Sequence, residues 1–296
     1  MRADGTALVE TSGADMGQGA WTSLAQIAAE ALGVDADKLE FRSGDSKLPD
    51  AGIAGGSWHT ATAGTALLRA GEATVAKLAA LATADPASPL FGAGNAGVIA
   101  RSGQLHRRDD ESRSESYVDI LARAGQEALS AEGSGSRDPA ALGDRALAAH
   151  GAVFAEVKVD PELGQIRVTR MVGAFAAGRI INPKLARSQY LGGMIWGLSF
   201  ALHEEAVMDP RTGRVLNADL AEYRVPVSAD VPSGDDMQVL MIHEDDPYVN
   251  PLGVKGVGEI GITGSVAAVT NAIWHATGVR IRRFPARIED IALASI

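Results

Sequence analysis

Apolar residues recur in the N-terminal part of the chain with two periods, and each period predicts a different kind of element. Gly5–Thr11 and Lys38–Asp45 alternate between apolar and polar positions, which predicts a strand in each segment. Between them the apolar residues recur every three or four positions, which predicts an amphipathic helix that ends at Gly33. The stripe predicted to face the core consists of Trp21, Leu24, Ile27, Ala28, Ala31 and Leu32.

A second helix is predicted directly after the glycine-rich segment Asp50–Gly64. Its predicted buried face consists of Leu67, Leu68, Val75, Leu78 and Leu81. From Thr83 to about His150 the pattern weakens into stretches rich in glycine, serine, proline and charged residues. This composition predicts variable loops around one short helix, Tyr117–Leu129, and a linker between two domains is the alternative interpretation.

Regular patterns resume after this region. A β-hairpin is predicted at Val153–Gly178, because alternating apolar residues flank a turn at Asp160–Gly164. Asn182 and Pro183 predict the start of a helix that runs to Glu205. Its predicted buried face consists of Leu191, Ile195, Leu198 and Leu202.

The last part of the chain predicts one more strand and one more helix. The strand is expected at Met237–Glu244, and the helix is expected to be capped by Thr263 or Ser265 and closed by Gly278. Strands and helices thus follow each other irregularly. This order predicts an α+β fold, with mixed sheets and helices packed on them, rather than a regular doubly wound sheet.

Composition narrows the possible functions. The 296-residue chain has a formal net charge of −10 and no Lys/Arg-rich run, which argues against a nucleic-acid partner. It has no cysteine, so zinc–thiolate sites, iron–sulfur ligation and thiol catalysis by its own residues are excluded. No apolar run is as long as a membrane span, and no signal peptide is recognisable. A cytoplasmic protein is expected, or a periplasmic one if a signal-bearing partner exports it.

The segment Gly253–Gly261, GVKGVGEIG, contains a literal match to the dinucleotide fingerprint GxGxxG. That fingerprint needs a buried strand directly before its first glycine, so that the turn delivers a pyrophosphate to a helix N-terminus. Here a proline-containing stretch separates the predicted strand, which ends at Glu244, from the motif. A P-loop is excluded because Lys255 is followed by Gly256 rather than serine or threonine. A nicotinamide-dependent dehydrogenase is therefore the least supported alternative.

Three glycine-rich segments lead into predicted helices: Gly17–Gly19, Gly55–Ser57 and Gly253–Gly264. A helix N-terminus presents unpaired N–H groups and partial positive charge, and glycine lets a ligand approach the backbone. In an acidic chain, three such ends favour one large anionic cofactor held mainly by backbone amides. The alternative is that the glycines only cap and pack helices, which is the commoner role of any single loop.

Two glutamines and one glutamate stand out beside these glycines. The amides of Gln18 and Gln189 can donate to and accept from a heterocycle or an oxo group, although a solvated surface glutamine is the alternative. Glu259 has Gly, Val and Ile as flanks and Lys255 as its one charged neighbour. It is expected to be buried with a raised pKa or directed into a cavity, as is typical of a general base. A first-turn acid that stabilises the next helix is the alternative.

Four segments in order resemble one family: DMGQGAWTSLAQIAAEALG, AGGSWHTATAG, AAGRIINPKLARSQYLGGMIWGLSFALHEE and GVKGVGEIGITGSVAAVTNAI. They resemble the molybdenum-binding subunit of the xanthine dehydrogenase and aldehyde oxidase family, especially bacterial aldehyde oxidoreductases of the periplasmic type. The resemblance covers nearly the whole chain except the segment 83–150. It implies that residues 1–296 form the second molybdopterin-binding domain, the C-terminal part of a far longer subunit.

The resemblance also implies roles for individual residues. Glu259 falls on the catalytic glutamate of the family, a general base in the oxidation of aldehydes to carboxylic acids with water as the oxygen donor. The residues expected to bind molybdopterin are Gln18, Gly19, Gly55, Gly56, Ser57, Gln189, Lys255 and Gly256, with His59 as a further candidate. The dithiolene of the cofactor would hold the metal, and bacterial relatives favour the cytosine dinucleotide form.

Partners follow from the same resemblance. The first predicted strand has only four residues before it, so the sheet is expected to continue upstream or in another subunit. The N-terminal half of the molybdenum subunit is expected on another chain, or the sequence is a truncated form. Electron transfer from the site would need 2Fe–2S and FAD subunits, and the substrate would be a small aldehyde or heterocycle. The alternative to an enzyme subunit is a non-catalytic cofactor-binding or structural fragment.

Overall fold

The computed structural model describes residues 1–135 and 143–295, and the chain divides into two compact units. Each unit contains both helices and strands, so the predicted α+β class is confirmed. No helix in the described part of the chain is long and apolar enough to cross a membrane.

The first unit consists of Met1–Leu147, Arg179–Asn182 and Asp245–Lys255. In chain order its elements are β1 (Ala7–Glu10), α1 (Ala20–Leu32), β2 (Leu39–Arg42), α2 (His59–Ala84), β3 (Val98–Arg101), β4 (Gln104–Arg107), β5 (Ser114–Ser116) and α3 (Tyr117–Arg123). Single 3-10 turns lie at Ala36–Lys38 and Asn95–Gly97. Strands β1 and β2 pair in parallel, whereas β3, β4 and β5 form an antiparallel sheet.

Helices α1 and α2 form the centre of this unit because small residues let them approach closely. A Cβ atom on Gly64 would lie 2.8 Å from Ile27 Cδ1, and one on Gly71 would lie 2.5 Å from Ala31 Cβ. The predicted stripe of α1 is buried at Leu24, Ile27, Ala28 and Leu32 and half-buried at Ala31. Trp21 was predicted to be buried but is 49% exposed, because it lies one turn before the part of α1 that α2 covers.

The segment predicted as loops contains more regular structure than its sequence indicated. It folds into the three short strands β3, β4 and β5, and α3 ends at Arg123 rather than Leu129. Each strand has three or four residues, so its alternation is too brief to stand out among polar neighbours. Val98 and Leu105 nevertheless point into the core of the unit. Part of the predicted loop region, residues 136–142, lies outside the described residues.

A buried carboxylate and a buried phenol hold α3 in place. Glu115 is 7% exposed and accepts hydrogen bonds from Ser88 Oγ at 2.6 Å and Arg123 Nη2 at 3.0 Å. Arg123 also pairs with Asp85. The Tyr117 hydroxyl donates to the carbonyl oxygen of Leu32 at 2.7 Å, which ties α3 to the end of α1. Burial raises the pKa of Tyr117 well above its ordinary value.

The second unit consists of Ala148–Gly178, Pro183–Glu244 and Gly256–Ile296. Its elements are β6 (His150–Asp160), β7 (Gln165–Ala176), α4 (Pro183–Leu202), β8 (Met237–Met241), α5 (Ser265–Thr277) and α6 (Ile288–Ala292), with 3-10 turns at Gly234–Asp236 and Leu293–Ser295. The predicted hairpin is confirmed as the antiparallel pair of β6 and β7, and β8 pairs in parallel with β7. Two elements are shorter than predicted, since α4 ends at Leu202 rather than Glu205, and β8 ends at Met241 rather than Glu244.

The buried face of α4 differs from the prediction. Leu198 is buried, but Leu191, Ile195 and Leu202 are only partly covered. The residues buried instead are Ala186, Tyr190, Gly193, Met194, Gly197, Leu198, Ser199 and Ala201. The reason is close backbone packing, because a Cβ atom on Gly193 would lie 2.7 Å from the backbone of Gly261. The buried stripe is thus shifted by one position, with Tyr190, Met194 and Ala201 buried in place of Leu191, Ile195 and Leu202.

The ion pair at Glu115 gives a direct test of the first unit. Replacing Arg123 by leucine should cost about 3 kcal/mol of unfolding free energy, because the carboxylate stays buried without its cation. That value lies at the lower end for broken buried pairs because the Arg123 side chain is itself 25% exposed. Denaturant unfolding followed by circular dichroism measures the loss.

The matched control is Arg101→Leu, which removes an arginine from a pair whose side chains are 58% and 60% exposed. No measurable destabilisation is expected there, because water screens an exposed pair. Equal losses of unfolding free energy in the two variants would show that the buried pair at Glu115 stabilises the fold no more than an exposed pair does.

Candidate functional site

The loop before α1 contains its own anion. Gly19 is the N-cap residue, and the Asp15 carboxylate accepts from the backbone N–H groups of Gly17 at 2.8 Å, Gly19 at 3.3 Å and Trp21 at 3.2 Å. Burial opposes ionisation of Asp15, but these backbone donors outweigh it and hold its pKa below the usual value. The N–H groups expected to be unpaired at this helix end are therefore partly occupied within the chain.

Asp15 was not predicted from the sequence, because the glycines of this loop give the stronger signal. An aspartate four residues before an N-cap glycine is the signal that could have identified it, since its short side chain can reach back to several N–H groups. The negative charge expected at this helix end is present, but the chain itself supplies it.

The amide of Gln18 is oriented by the same loop. Its Oε1 accepts from the N–H of Met16 at 2.6 Å, and its Nε2 donates to the carbonyl oxygen of Ala14 at 3.1 Å. Each bond uses one donor or one lone pair of the amide, which leaves one further donor and one further acceptor site. Gln18 is thus held in one orientation and can still bind a ligand.

The loop before α2 holds a strained serine. Ser57 has a φ of 59°, a left-handed conformation that residues with side chains rarely adopt. Its Oγ is buried and finds no hydrogen-bond partner among residues 1–135 and 143–295. A strained residue with an unsatisfied buried hydroxyl is typical of a ligand contact. Gly55 and Gly56 precede it, and no side chain caps α2.

His59 begins α2 and is almost completely enclosed. Its side chain is 6% exposed, and neither ring nitrogen has a partner within the described part of the chain. Burial lowers its pKa, although the nearby Asp15 carboxylate acts in the opposite direction. The ring lies so near the loop before α1 that a Cβ atom on Gly13 would approach it to 2.5 Å. His59 therefore supports the loop that holds Gln18.

Lys255 has a structural partner in the first unit. Its Nζ lies 3.0 Å from Asp246 Oδ2, and its side chain is 7% exposed. The hydrogen bond from Lys255 lowers the pKa of Asp246. Between these residues, Asn250 accepts from the N–H groups of Leu252 and Val254 and donates to the carbonyl oxygen of Val254. The ion pair closes this polar turn, and contact of Lys255 with a cofactor stays a prediction.

Glu259 belongs to the second unit and lies in a series of turns that leads to α5. It is exposed, and its carboxylate has no hydrogen-bond or ion-pair partner among the residues that the structure describes. Burial, one of the two environments predicted for it, is therefore wrong for this chain. Placement in a cavity of a larger assembly stays a prediction. The preceding strand, β8, ends at Met241, so no strand leads into Gly256 as a dinucleotide site requires.

The turn of Glu259 is fixed against α4 by backbone contact. A Cβ atom on Gly261 would lie 2.7 Å from the carbonyl oxygen of Tyr190, and Ser265 Oγ donates to the Gly261 carbonyl at 2.8 Å. Gln189 precedes Tyr190 and is half-buried, so the same stretch of α4 presents this glutamine and anchors the turn of Glu259.

Tyr190 is the residue of α4 that sequence reasoning overlooked. Its ring stacks on Phe175 of β7, with centroids 4.5 Å apart and planes 4° from parallel. Its hydroxyl is buried without a partner in the described ranges, and burial raises its pKa to about 12. An aromatic residue beside a glutamine at the i+1 position offers no distinctive sequence signal, so only the packing identifies it.

Helix α5 begins differently from the prediction. Gly264, with a φ of 84°, is its N-cap residue, and neither Thr263 nor Ser265 caps it. The hydroxyl of Ser265 donates instead to the carbonyl oxygen of Gly261, four residues earlier in the chain. Two of the three glycine-rich helix starts, those of α2 and α5, thus have no side-chain cap, whereas Asp15 occupies the start of α1.

Comparison with known proteins identifies the family. Residues 1–232 match the family model of the molybdopterin cofactor-binding domain. The aldehyde oxidoreductase molybdenum-binding subunit PaoC of Escherichia coli strain K12 is 36% identical over 292 residues, which cover 97% of this chain and 37% of that subunit. The chain therefore spans little more than a third of the length of this curated relative.

Solved structures agree with that match. Quinoline 2-oxidoreductase from Pseudomonas putida 86 has a TM-score of 0.81 at 26% identity, over 98% of this chain and 37% of that one. Aldehyde oxidoreductase from Desulfovibrio gigas has a TM-score of 0.73 at 28% identity, over 99% of this chain and 29% of that one. The resemblance seen in the sequence is confirmed: the chain belongs to the molybdopterin cofactor-binding domain family, within the molybdenum-binding subunits of the xanthine dehydrogenase and aldehyde oxidase type.

Proposed function

We propose that this chain supplies part of the active site of a molybdenum hydroxylase that oxidises aldehydes to carboxylic acids with water as the oxygen donor. The observation that carries the proposal is the free, exposed carboxylate of Glu259 on a turn that α4 holds rigidly. The name of the 36%-identical relative, an aldehyde oxidoreductase subunit, supports aldehydes as the substrate class. A heterocycle is the second substrate class, which the similarity to quinoline 2-oxidoreductase favours.

The described residues fit a large anionic pterin cofactor. The orphan hydroxyl of Ser57 and the unpartnered ring nitrogens of His59 are buried polar groups that a bound ligand would satisfy. The uncapped starts of α2 and α5 suit phosphate oxygens. The residues proposed to hold the cofactor are Gln18, Gly19, Gly55, Gly56, Ser57, Gln189, Lys255 and Gly256, with His59 beside them. Molybdopterin in its cytosine dinucleotide form is proposed.

The chemistry divides between the cofactor and the chain. When bound, the molybdenum centre supplies two-electron oxidation. Glu259 takes a proton at a carboxylate oxygen, since its backbone turn packs on α4 and its carboxylate has no competing partner in the described chain. Gln18 offers one oriented N–H donor and one acceptor, which suits a polar group that must be held but not ionised.

Residues 1–296 are proposed to act as the second molybdopterin-binding domain of a larger assembly. The chain covers 37% of PaoC, so the rest of a molybdenum-binding subunit is proposed as its first partner. Iron–sulfur and FAD subunits are proposed as electron acceptors, in the cytoplasm or, with an exported partner, in the periplasm. A cofactor-binding fragment without activity of its own is the second candidate, and the same 37% coverage favours it.

The role of Glu259 is tested by Glu259→Gln in the assembled enzyme. Glutamine keeps the shape but cannot take a proton, so the turnover number should fall by about 10²–10⁴-fold. Molybdenum content, measured by metal analysis, should stay at the unsubstituted level. Glu162→Gln, in the exposed turn between β6 and β7, is the control and should keep full turnover. Full turnover of the Glu259 variant would remove the assignment.

The role of Ser57 is tested by comparison with Ser102, the other non-glycine residue with positive φ among the described residues. Glycine adopts the left-handed conformation without strain. Ser57→Gly and Ser102→Gly should therefore both raise the free energy of unfolding, by about 1 kcal/mol or less. Only Ser57→Gly should lower the molybdopterin content of the assembled enzyme, measured after extraction by fluorescence. Equal cofactor content in both variants would contradict a contact through the Ser57 hydroxyl.

A further inference from the structure

The connection between α4 and β8 is long and irregular, but polar contacts set its shape. Residues 203–233 form no helix or strand, and one isolated bridge joins Met208 to Val215. Asn217 accepts from the N–H of Val207 at 2.9 Å and donates to the carbonyl oxygen of Glu205 at 2.7 Å. Asp209 accepts from the backbone of Arg211 in the turn that follows it. The connection is therefore a defined structure rather than a flexible linker.

Further bonds hold this connection together, and one of them attaches it to β7 of the second unit. The Tyr223 hydroxyl donates to Glu204 Oε2 at 2.9 Å, and Arg167 of β7 donates to the carbonyl oxygen of Ala229 at 3.2 Å. The Asp230 carboxylate accepts from the N–H of Val227 at 2.9 Å. The side chains that make these bonds within the connection, Glu204, Tyr223 and Asp230, are only partly exposed.

The apolar side chains of the same connection point outward. Leu220 is 88% exposed, and the other members of the set are between 41% and 62% exposed. We call this set the 207–227 apolar surface, and it consists of Val207, Met208, Leu216, Leu220, Val225 and Val227. Charged side chains such as Arg211 and Glu222 are exposed between them, as in the polar rim of a protein interface.

This arrangement differs from that of an ordinary surface loop, because large apolar side chains are exposed beside the charged ones. In such a loop the polar groups face water and the apolar groups turn inward, and contiguous exposed apolar side chains mark interaction sites. Here hydrogen bonds hold the backbone so that the apolar side chains stay on the outside. A surface fixed in this way is pre-organised for a partner, because little ordering is needed on binding.

We propose that the 207–227 apolar surface binds the remaining part of the molybdenum-binding subunit, a folded protein that presents apolar side chains. The inference rests on the proposed function. The chain spans 37% of PaoC and 37% of the quinoline oxidoreductase chain, so in an enzyme of that size most of the subunit lies outside this sequence. A net charge of −10 disfavours an anionic membrane as the occupant.

The cysteine-free sequence permits a clean test, because an introduced thiol is the only one in this chain. Leu220→Cys places a thiol on the surface, and Leu163→Cys places one in the turn between β6 and β7, where Leu163 is 64% exposed. Maleimide labelling rates are measured by peptide mass spectrometry for the chain alone. They are measured again for the chain produced with the polypeptide from the same genome that contains the rest of a molybdenum-binding subunit.

Both thiols should react at similar rates in the chain alone. In the assembly the thiol at 220 should react at least about tenfold more slowly, a factor that corresponds to about 1.4 kcal/mol of local opening free energy. The thiol at 163 should be unaffected. Equal labelling of the thiol at 220 in both preparations, or failure of the two polypeptides to copurify, would overturn the proposal. Protection that grows with the concentration of the chain alone would identify a second copy and also overturn it.

Molybdenum analysis of the same preparations distinguishes a failure of the docking surface from a failure of the proposed function. Protection of the thiol at 220 without bound molybdenum would support the docking surface while the proposed function fails. Molybdenum bound in an assembly whose thiol at 220 stays reactive would support the function while the docking surface fails.

Discussion

Backbone contact between α4 and the turn that precedes α5 is the constraint on which the second unit depends. Gly193 and Gly261 meet where neither could accept a Cβ atom without displacing the other. Gly193 of α4 is buried at this contact, and Ser265 Oγ donates to the Gly261 carbonyl within the same turn. The contact also ties the position of Glu259 to a helix of twenty residues rather than to a free loop. A group that must take a proton at one place benefits from such support.

The two long helices of the first unit differ in how the N–H groups at their starts are satisfied. Asp15 satisfies the N–H groups at the start of α1 and, through the same loop, leaves Gln18 in a fixed orientation. The start of α2 has no side-chain cap and instead holds the strained Ser57 and the enclosed His59. Strain and unsatisfied polar groups cost stability, so their concentration in one turn indicates a site shaped for a ligand rather than for the chain alone.

Much of the fold was predictable because its longer elements have strong local patterns. The helices α1, α2, α4 and α5 and the hairpin of β6 and β7 all follow from apolar spacing and from glycine or proline at their ends. The strands of three or four residues between Thr83 and His150 carry too few positions to show a period, so they were missed. The inward face of α4 was predicted one position away, because the helix carries two neighbouring apolar stripes and the glycine contacts that select one of them are distant in sequence.

The candidate site, like the fold, was predictable only in part from the sequence. Residue types and order were enough to select Glu259, Gln18 and Ser57, but their surroundings depend on contacts distant in sequence, such as Gly261 with Tyr190. The most direct measurement of the central claim is a crystal structure of the cofactor-loaded assembly with a substrate analogue. We expect the Glu259 carboxylate within about 2.6–3.2 Å of the oxygen that enters the substrate, with its turn still packed on α4. A Glu259 carboxylate directed away from the substrate, with another residue at that distance, would contradict it.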